Sequence, residues 1–289
     1  MLLITAAHGN QGRLLVPKLL ALGVTLRACV RSEASADVLR ASGVSEVIVG
    51  DLADQAIARQ AVAGVDGIYH IGPTADPNER EMGLQMIAVA REENVRFFVL
   101  SSVLHAIVTD LIQHEIKRDI EEALVCSGLA YTILQPTNYM GPWRLQPVFT
   151  EGVFRLSWSL DRRQSLVDLE DVTDVAVMAL TDPQRHDGAT YELVGEGRFT
   201  AHELAAIAAD VIGGPVVAEQ YTPEDYIAAF LADRDRSDHA MKMMKAISEH
   251  YSTHDFVGNP NVLRWLLGRR PNTFEQFVRR EHQRYLGQT

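Results

Sequence analysis

Cysteine is scarce: Cys29 and Cys126 are the only two in 289 residues. Two thiols cannot build the disulfide framework of a small secreted domain, and the missing C-x-x-C excludes a zinc ribbon or dithiol centre of that spacing. Cys29 falls in a strand-like run and Cys126 in a helix-like one, so both are expected to be buried, reduced thiols. Long apolar runs are also missing. Nothing approaches the roughly 18 residues of a membrane span. Leu2 to Ile4 is too short for a signal-peptide core and lacks a basic start, so the expectation is a cytoplasmic protein with no membrane partner. Positive charge is in deficit, with Lys and Arg at 27 against 38 Asp and Glu, a net charge of −11. A general nucleic-acid partner is not expected from that balance. No G-x-S-x-G elbow and no P-loop occur, and there is no repeat, linker or low-complexity tract.

What is present is an ordinary globular composition, 47% apolar and 22% charged, in a chain long enough for a large core. The most informative stretch is the first. Leu2 to Ile4 is short and apolar, as a buried strand is. A small-residue turn with Gly9 and Gly12 follows, and Arg13 to Leu22 carries Leu14, Leu15, Leu19, Leu20 and Leu22 at helical spacing. Strand, glycine turn and helix form the dinucleotide-binding arrangement, in which a helix N-terminus offers free N–H groups to a pyrophosphate. The spacing is A-x-x-G-x-x-G, with Ala6 in place of a first glycine. Alanine resists positive φ, so Ala6 is expected to hold the turn at negative φ.

Along the first half, strands at about 2–4, 24–30, 47–49, 66–71, 96–100 and 130–134 alternate with helices at 13–22, 32–40, 54–62, 78–93 and 112–127. That alternation implies an α/β fold, a doubly wound parallel sheet with helices on both faces. Ligands of such sheets bind beyond the carboxyl ends of the strands. Those ends carry Thr5 and His8 to Gly12, Arg31-Ser32, Asp51-Leu52, Ile71-Gly72-Pro73, Ser101-Ser102, and Pro136 to Tyr139. The second half is less regular. Leu166 to Leu180 holds a strand end and a helix opened by Asp171, and 191–194 and 216–218 look like strands. Thr200 with Glu203 forms a capping box for a helix to Ile212, and helices follow at about 224–234, 238–251, 260–267 and 273–285. This region is expected to be a small, mostly helical cap.

Individual residues then suggest chemistry. Arg31 lies 19 residues after Gly12, at the end of the second strand. An acidic residue there accepts from a ribose 2′-hydroxyl, whereas arginine pairs with a 2′-phosphate, so NADP(H) is favoured over NAD(H). The plain alternative is a solvated arginine. Asp51 suits either the adenine side of the cofactor or a turn. Lys117 is the main catalytic candidate. His114 at i−3 shares its face, and an i,i+4 pair with Glu121 is the structural alternative. His250 and His254 have metal-ligand spacing but no third ligand, so no metal is expected and a place at a pocket edge is preferred. Asp168, Glu170, Asp171 and Asp174 suit a helix N-terminus.

The chain resembles the NmrA-like branch of the atypical short-chain dehydrogenase/reductase superfamily. The pieces that carry the resemblance are I-T-A-A-H-G-N-Q-G at 4–12, V-R-S at 30–32, G-D-L at 50–52, V-L-S-S at 99–102 and K-R-D-I-E-E-A-L at 117–124. Further matches are S-G-L-A-Y-T-I-L-Q-P at 127–136, D-L-E-D-V-T-D-V-A at 168–176 and G-R-R-P-N-T-F-E-Q-F-V at 268–278. The resemblance implies a Rossmann-type NAD(P)-binding domain over 1–140, to which 165–195 contributes, and a smaller substrate region over 141–164 and 196–289. Gly9, Asn10, Gln11 and Gly12 would hold the pyrophosphate and Arg31 the 2′-phosphate. Thr5, His8, Asp51, Leu52, Ile71, Gly72, Pro73, Ser101, Lys117, Pro136 and Asn138 would complete the cofactor site. Lys117 and His114 would be catalytic, and Ser102, His105, Tyr139 and Trp143 would face a small-molecule substrate.

Two departures stand out. T-G-A-T-G becomes Thr5-Ala6-Ala7-His8-Gly9, and the Y-x-x-x-K of the wider superfamily is missing, because Gln113 stands four residues before Lys117. The expected function is an NADPH-dependent reductase of an apolar or aromatic compound. The alternative is a non-catalytic NADP(H) sensor that signals to a protein partner. A homodimer is left open.

Overall fold

The computed structural model describes residues 1–230 and 237–287. In chain order the first elements are β1 (Leu2–Thr5), α1 (Gly12–Ala21), β2 (Leu26–Val30), α2 (Glu33–Ala41), β3 (Glu46–Val49), α3 (Gln55–Val62), β4 (Gly67–Ile71), α4 (Glu79–Glu92), β5 (Phe97–Ser101), α5 (Ile112–Val125) and β6 (Ala130–Pro136). There follow β7 (Asn138–Met140), a 3-10 turn (Pro142–Arg144), α6 (Gln146–Glu151), β8 (Val153–Leu156), β9 (Leu166–Asp168), α7 (Leu169–Thr181), α8 (Pro183–His186) and β10 (Ala189–Leu193). The last are α9 (Ala201–Ile212), β11 (Val217–Gln220), α10 (Pro223–Phe230), α11 (Asp238–Thr253), α12 (Asn261–Leu267) and α13 (Phe274–Leu286). The chain divides into two compact units. One comprises Met1–Val108, Gln113–Gln135 and Val172–Tyr191, the other Thr109–Ile112, Pro136–Asp171 and Glu192–Thr289.

The first unit is built on a seven-stranded sheet of order β10-β6-β5-β4-β1-β2-β3. The pairs from β3 through β6 are parallel, with Ile4 opposite both Ala28 and Tyr69, and Phe98 opposite both Ile68 and Tyr131. Leu3, Ile4, Ile68, Phe98 and Leu100 are completely buried. Strands covered on both faces lose the in–out alternation of a half-exposed strand, which is why they read as short continuous apolar runs. The strand order reverses beside β1, whose neighbours are β2 and β4. A doubly wound sheet binds its ligand at such a switch point. The doubly wound expectation is met. Gln135 and Pro136 lie inside β6 rather than after it. Cys29 is buried as expected, but Cys126 is exposed. It follows α5 on the outward side, with Leu124 and Ser127 beside it buried, and a helix-like run by itself does not reveal which side faces out.

The second unit has more strand than its sequence pattern suggested. β7 pairs with β9 and β8 with β11, both in parallel, alongside the helices. β7, the 3-10 turn, α6 and β8 were not anticipated. Each is only three to six residues long, too short for a period to show. The Thr200–Glu203 capping box is formed, and Thr273 with Gln276 makes a second one on α13. Of the helix expected over 224–234, Pro223–Phe230 is helical and residues 231–234 lie outside those described.

The acidic run near 168 is held by arginines. Arg280 donates to both oxygens of Asp168 at 2.8 and 3.0 Å, Arg269 pairs with Asp171 at 2.8 Å, and Asn272 reaches both aspartates. Asp168 also accepts from the backbone of Glu170, so α7 opens at Asp168, three residues before Asp171. Burial pushes the Asp171 carboxyl above its ordinary range. Arg280→Ala strands a carboxylate that is 1% exposed. It is expected to cost about 3 kcal/mol of stability, read as a lowered urea midpoint, while Arg280→Lys, which keeps the charge but not the fork, loses less.

Candidate functional site

The turn between β1 and α1 is tighter than a plain connection requires. A β-carbon on Gly12 would lie 2.2 Å from the Ala7 carbonyl oxygen and 2.6 Å from its α-carbon. Only glycine lets the helix start that close to the backbone of the turn. Ala6 sits at φ 47, in the left-handed region, with its carbonyl accepting from Gly9 N at 2.8 Å. This reverses the expectation of a negative φ. The chain keeps the turn geometry a glycine would give and accepts the strain of about 1–2 kcal/mol that alanine adds there.

α1 shares with α4 the lack of a side-chain cap, but α4 carries Glu79 and Glu81 in its first turn and α1 carries no acidic residue there. Ser32, Asp54, Thr200, Ser237 and Thr273 cap their helices through side chains. Gln11, at the cap position of α1, makes no such bond, and the first turn carries no acidic residue. Its amide is turned inward instead, donating to Ser101 Oγ at 2.8 Å and accepting from the Tyr69 hydroxyl at 2.5 Å. The first turn of α1 therefore points its dipole at the exposed Gly9-Asn10 turn without a built-in anion, while the N–H groups of Arg13, Leu14 and Leu15 donate to the Gly9 and Gln11 carbonyls. That arrangement fits the pyrophosphate of a dinucleotide. Gln11 can contribute only through its backbone.

The other expected cofactor residues fall into two groups. On the exposed edge, Arg31 is 47% exposed and meets Asp76 at 3.4 Å, a loose surface pair worth little by itself. His8 Nδ1 lies 3.0 Å from Ser35 Oγ, and Arg13 donates to the His8 carbonyl. Partial burial and the Arg13 charge hold the His8 imidazole below its ordinary pKa. Asp51 caps its own turn by accepting from Ala53 N, and the Leu52 carbonyl accepts from Gln85. Thr5 belongs to the interior. Its fully buried hydroxyl accepts from Ile71 N at 2.7 Å and lies 3.4 Å from His70 Nδ1, clasping β1 to β4.

Lys117 is 7% exposed. Its ammonium lies 2.7 Å from Glu79 Oε1 and donates to the Ser101 carbonyl at 3.2 Å. Glu79 opens α4 and is 1% exposed. The pair sits against the backbone of Gly72, where a β-carbon would meet Glu79 at 2.6 Å and Lys117 Nζ at 2.9 Å. The i,i+4 partner suggested by spacing is thus not the one used. A long lysine on the buried face of α5 reaches the neighbouring helix rather than its own. His114, on the same face, is fully buried, and its Nδ1 contacts the His105 carbonyl at 2.8 Å. His105 is itself held at φ 57. Glu121 is engaged elsewhere. It accepts from the Ser102 hydroxyl, and the Gln135 amide donates to its two oxygens at 2.8 and 3.0 Å. Burial raises the Glu121 carboxyl above its ordinary pKa, against the opposing effects of those donors and of Lys117.

Glu79 and His70 were not singled out from sequence. Nothing in spacing marks one glutamate of a polar helix start as the buried one. His70 is fully buried, with Nε2 unpartnered among the described residues. Desolvation, with the Lys117 charge, pushes its pKa down to about 3.

In the second unit, Asn138 donates to Gln164 Oε1 at 3.4 Å, and Tyr139 lines a small apolar pocket with Leu166, Phe274 and Phe277. Pro136 is buried, and the Trp143 ring packs over Gly141. His250 and His254 stack at 4.7 Å. Among the described residues no group of His, Cys, Asp and Glu is placed to hold a metal ion, and no helix is long and apolar enough to cross a membrane.

A family model described as NAD(P)H-binding matches residues 6–183. The chain is 26% identical to an NAD(P)H azoreductase of Xenophilus azovorans, covering 96% of this chain and 97% of that one. The structure of NADPH-dependent quinone oxidoreductase QOR2 from Escherichia coli, complexed with NADPH, superposes with a TM-score of 0.80 at 26% identity, covering 96% and 98% of the two chains. NmrA, a negative transcriptional regulator in complex with NAD, has the same fold, with a TM-score of 0.80 at 16% identity and coverage of 99% and 97%.

Two measurements probe the buried charges. Glu79→Gln is expected to cost about 3 kcal/mol or more by leaving the Lys117 ammonium without its carboxylate, whereas the double variant Glu79→Leu with Lys117→Met recovers most of that loss. A double-mutant cycle in urea reads the coupling, and additive losses would contradict it. For His70 the folded protein favours the neutral ring, so its stabilising contribution is complete above the ordinary pKa of 6.5 and is lost as pH falls toward about 3. The expected slope is up to about 1.4 kcal/mol per pH unit. Unfolding at pH 7 and pH 5 should show that slope in the wild type and a smaller one in His70→Asn.

Proposed function

This chain belongs to the NAD(P)H-binding family, and from that premise we propose that it is an NADPH-dependent reductase. Its substrate is a small apolar or aromatic compound with a quinone, enone, ketone or benzylic centre. The observation that carries the cofactor side is the start of α1, without a side-chain cap or an acidic residue, packed at Gly12 against the Ala7 backbone of the turn after β1 and followed by a half-exposed Arg31 after β2. A bound NADPH supplies the hydride.

The chain's own residues bind and orient. The backbone of Gly9, Asn10, Gln11 and Gly12 takes the pyrophosphate. Arg31 exchanges its loose contact with Asp76 for the 2′-phosphate, and a planar guanidinium makes that exchange favourable because it can engage two phosphate oxygens at once. Lys117, pinned by Glu79 against the end of β5, is a fixed cation that orients the ribose rather than a mobile base. Ser102, His105, Tyr139 and Trp143 are assigned to the substrate as part of the same proposal.

The non-catalytic sensor is the second reading. One observation favours it: Gln113 stands where the superfamily tyrosine is found, while Lys117 and His114 are both buried and engaged. Turnover separates the two readings, because both bind the cofactor.

The test is a fluorescence titration of the purified protein with NADPH and NADH, followed by NADPH oxidation with quinones, enones and aryl ketones. NADPH is expected to bind more tightly. Arg31→Glu is expected to weaken NADPH about 10- to 100-fold, in line with losing a charge-assisted contact, and NADH far less. Equal losses for both cofactors would remove the 2′-phosphate from the role of Arg31. Tight binding with no turnover on any acceptor would favour the sensor.

A further inference from the structure

Reduction of a quinone or ketone consumes a hydride and a proton, and the residues expected to deliver the proton are engaged elsewhere. No tyrosine precedes Lys117 at the superfamily spacing; Lys117 is bound to Glu79 and the Ser101 carbonyl, and His114 is fully buried against the His105 carbonyl. A different pair occupies the carboxyl edge of β5 and β6. Ser102 follows β5 directly and is pinned to β6 by its backbone N–H, which donates to the Leu134 carbonyl at 2.7 Å. Its hydroxyl donates to the Glu121 carboxylate, which the Gln135 amide holds from β6 at 2.8 and 3.0 Å. Ser102 is 5% exposed, whereas Glu121 is only half-buried.

We propose that Ser102 and Glu121 form the proton-delivery pair of the reduction, with Ser102 handing a proton to the substrate oxygen and Glu121 replacing it. This rests on the reductase reading above. The contact serves both protonation states. With Glu121 ionised, Ser102 donates to it. With Glu121 protonated, the acid donates to Ser102 Oγ and the serine O–H turns outward to a substrate oxygen. As the carbonyl carbon accepts the hydride supplied by NADPH, its oxygen takes the Ser102 proton and becomes a hydroxyl. Ser102 regains a proton from the Glu121 carboxylic acid. The remaining carboxylate is reprotonated from water, and NADP⁺ is the other product.

The surroundings of Glu121 suit this role. The charged group acting on it is Lys117, one turn earlier on α5, and Lys117 is itself matched by Glu79 on α4. Ser102 and Gln135, from the loop after β5 and from β6, are neutral. Burial outweighs these stabilising partners and lifts the carboxyl, so a protonated population persists above the ordinary carboxylate range.

The experiment compares wild type, Glu121→Gln, Glu121→Asp and Ser102→Ala, with NADPH and an aryl ketone as the reacting pair. Glu121→Gln and Ser102→Ala are expected to lose about 100-fold or more in kcat, with the NADPH Kd changed less than about twofold. Wild-type kcat should fall as pH rises through the Glu121 titration. That limb should vanish in Glu121→Gln and Ser102→Ala and return in part with Glu121→Asp. Infrared spectra of the cofactor-free protein supply a readout independent of turnover. A titrating carboxylic-acid band should be present in wild type and Ser102→Ala and missing from Glu121→Gln. Wild-type kcat and pH profile in the glutamine or alanine variant, or an unchanged band in Glu121→Gln, would overturn the pair while leaving the reductase intact. A wild-type protein that binds NADPH but reduces no acceptor would overturn the reductase reading and the pair with it. Should Glu121→Gln fail to fold, Ser102→Ala decides through the pH limb.

Discussion

The close approach of the first residue of α1 to the backbone of the turn after β1 is the constraint on which the first unit depends. Gly12 has no room for a β-carbon, and that contact sets where the helix begins and how its N-terminus lies over the strand ends. Ala6 then has to occupy the left-handed region to complete the turn. Gln11 is drawn inward between Tyr69 and Ser101 rather than capping the helix. The same packing that holds the sheet together leaves the first turn of α1 without a side-chain cap or an acidic residue.

Beneath that surface the interior is more polar than a doubly wound core needs to be. Thr5 clasps β4, His70 lies fully buried beside it, and Glu79 with Lys117 forms an ion pair against Gly72. Buried charges of this kind contribute little net stability, but removing one partner is costly. Their effect is to hold the end of β5 and the loop after β4 in one arrangement, and those segments border the strand ends where a dinucleotide binds in this fold. The second unit uses the same device, with Arg280 and Arg269 on the aspartates at the start of α7.

The relatives agree with this division. The azoreductase and the quinone oxidoreductase share about a quarter of their residues with this chain across nearly its whole length, and NmrA shares the fold at 16% identity. A fold held by NADP(H)-dependent reductases and by a regulator leaves function to the groups at the strand ends. In this chain the tyrosine position is occupied by Gln113, and the pair Ser102–Glu121 stands at the neighbouring strand ends.

The sequence alone determined the fold class, because buried strands and amphipathic helices alternate with periods that composition cannot hide. It also determined the glycine turn, the arginine after β2 and the Thr200 capping box, each of which is local chemistry at fixed spacing. Only the tertiary structure decided the rest. The sign of φ at Ala6 follows from how tightly the turn from β1 folds back on Gly12, not from the preference of alanine. Lys117 selects Glu79, 38 positions away in sequence, over the Glu121 of its own helix, because the face it occupies is the one that packs inward. Cys126 is exposed although Leu124 and Ser127 beside it are buried, because it falls on the outward side of that end of α5. Short elements such as β7 and β8 exist because parallel partners reach them, and pairing across dozens of residues leaves no period in either strand. Local periodicity specifies elements; the identity of a buried group's partner is set only when distant elements pack.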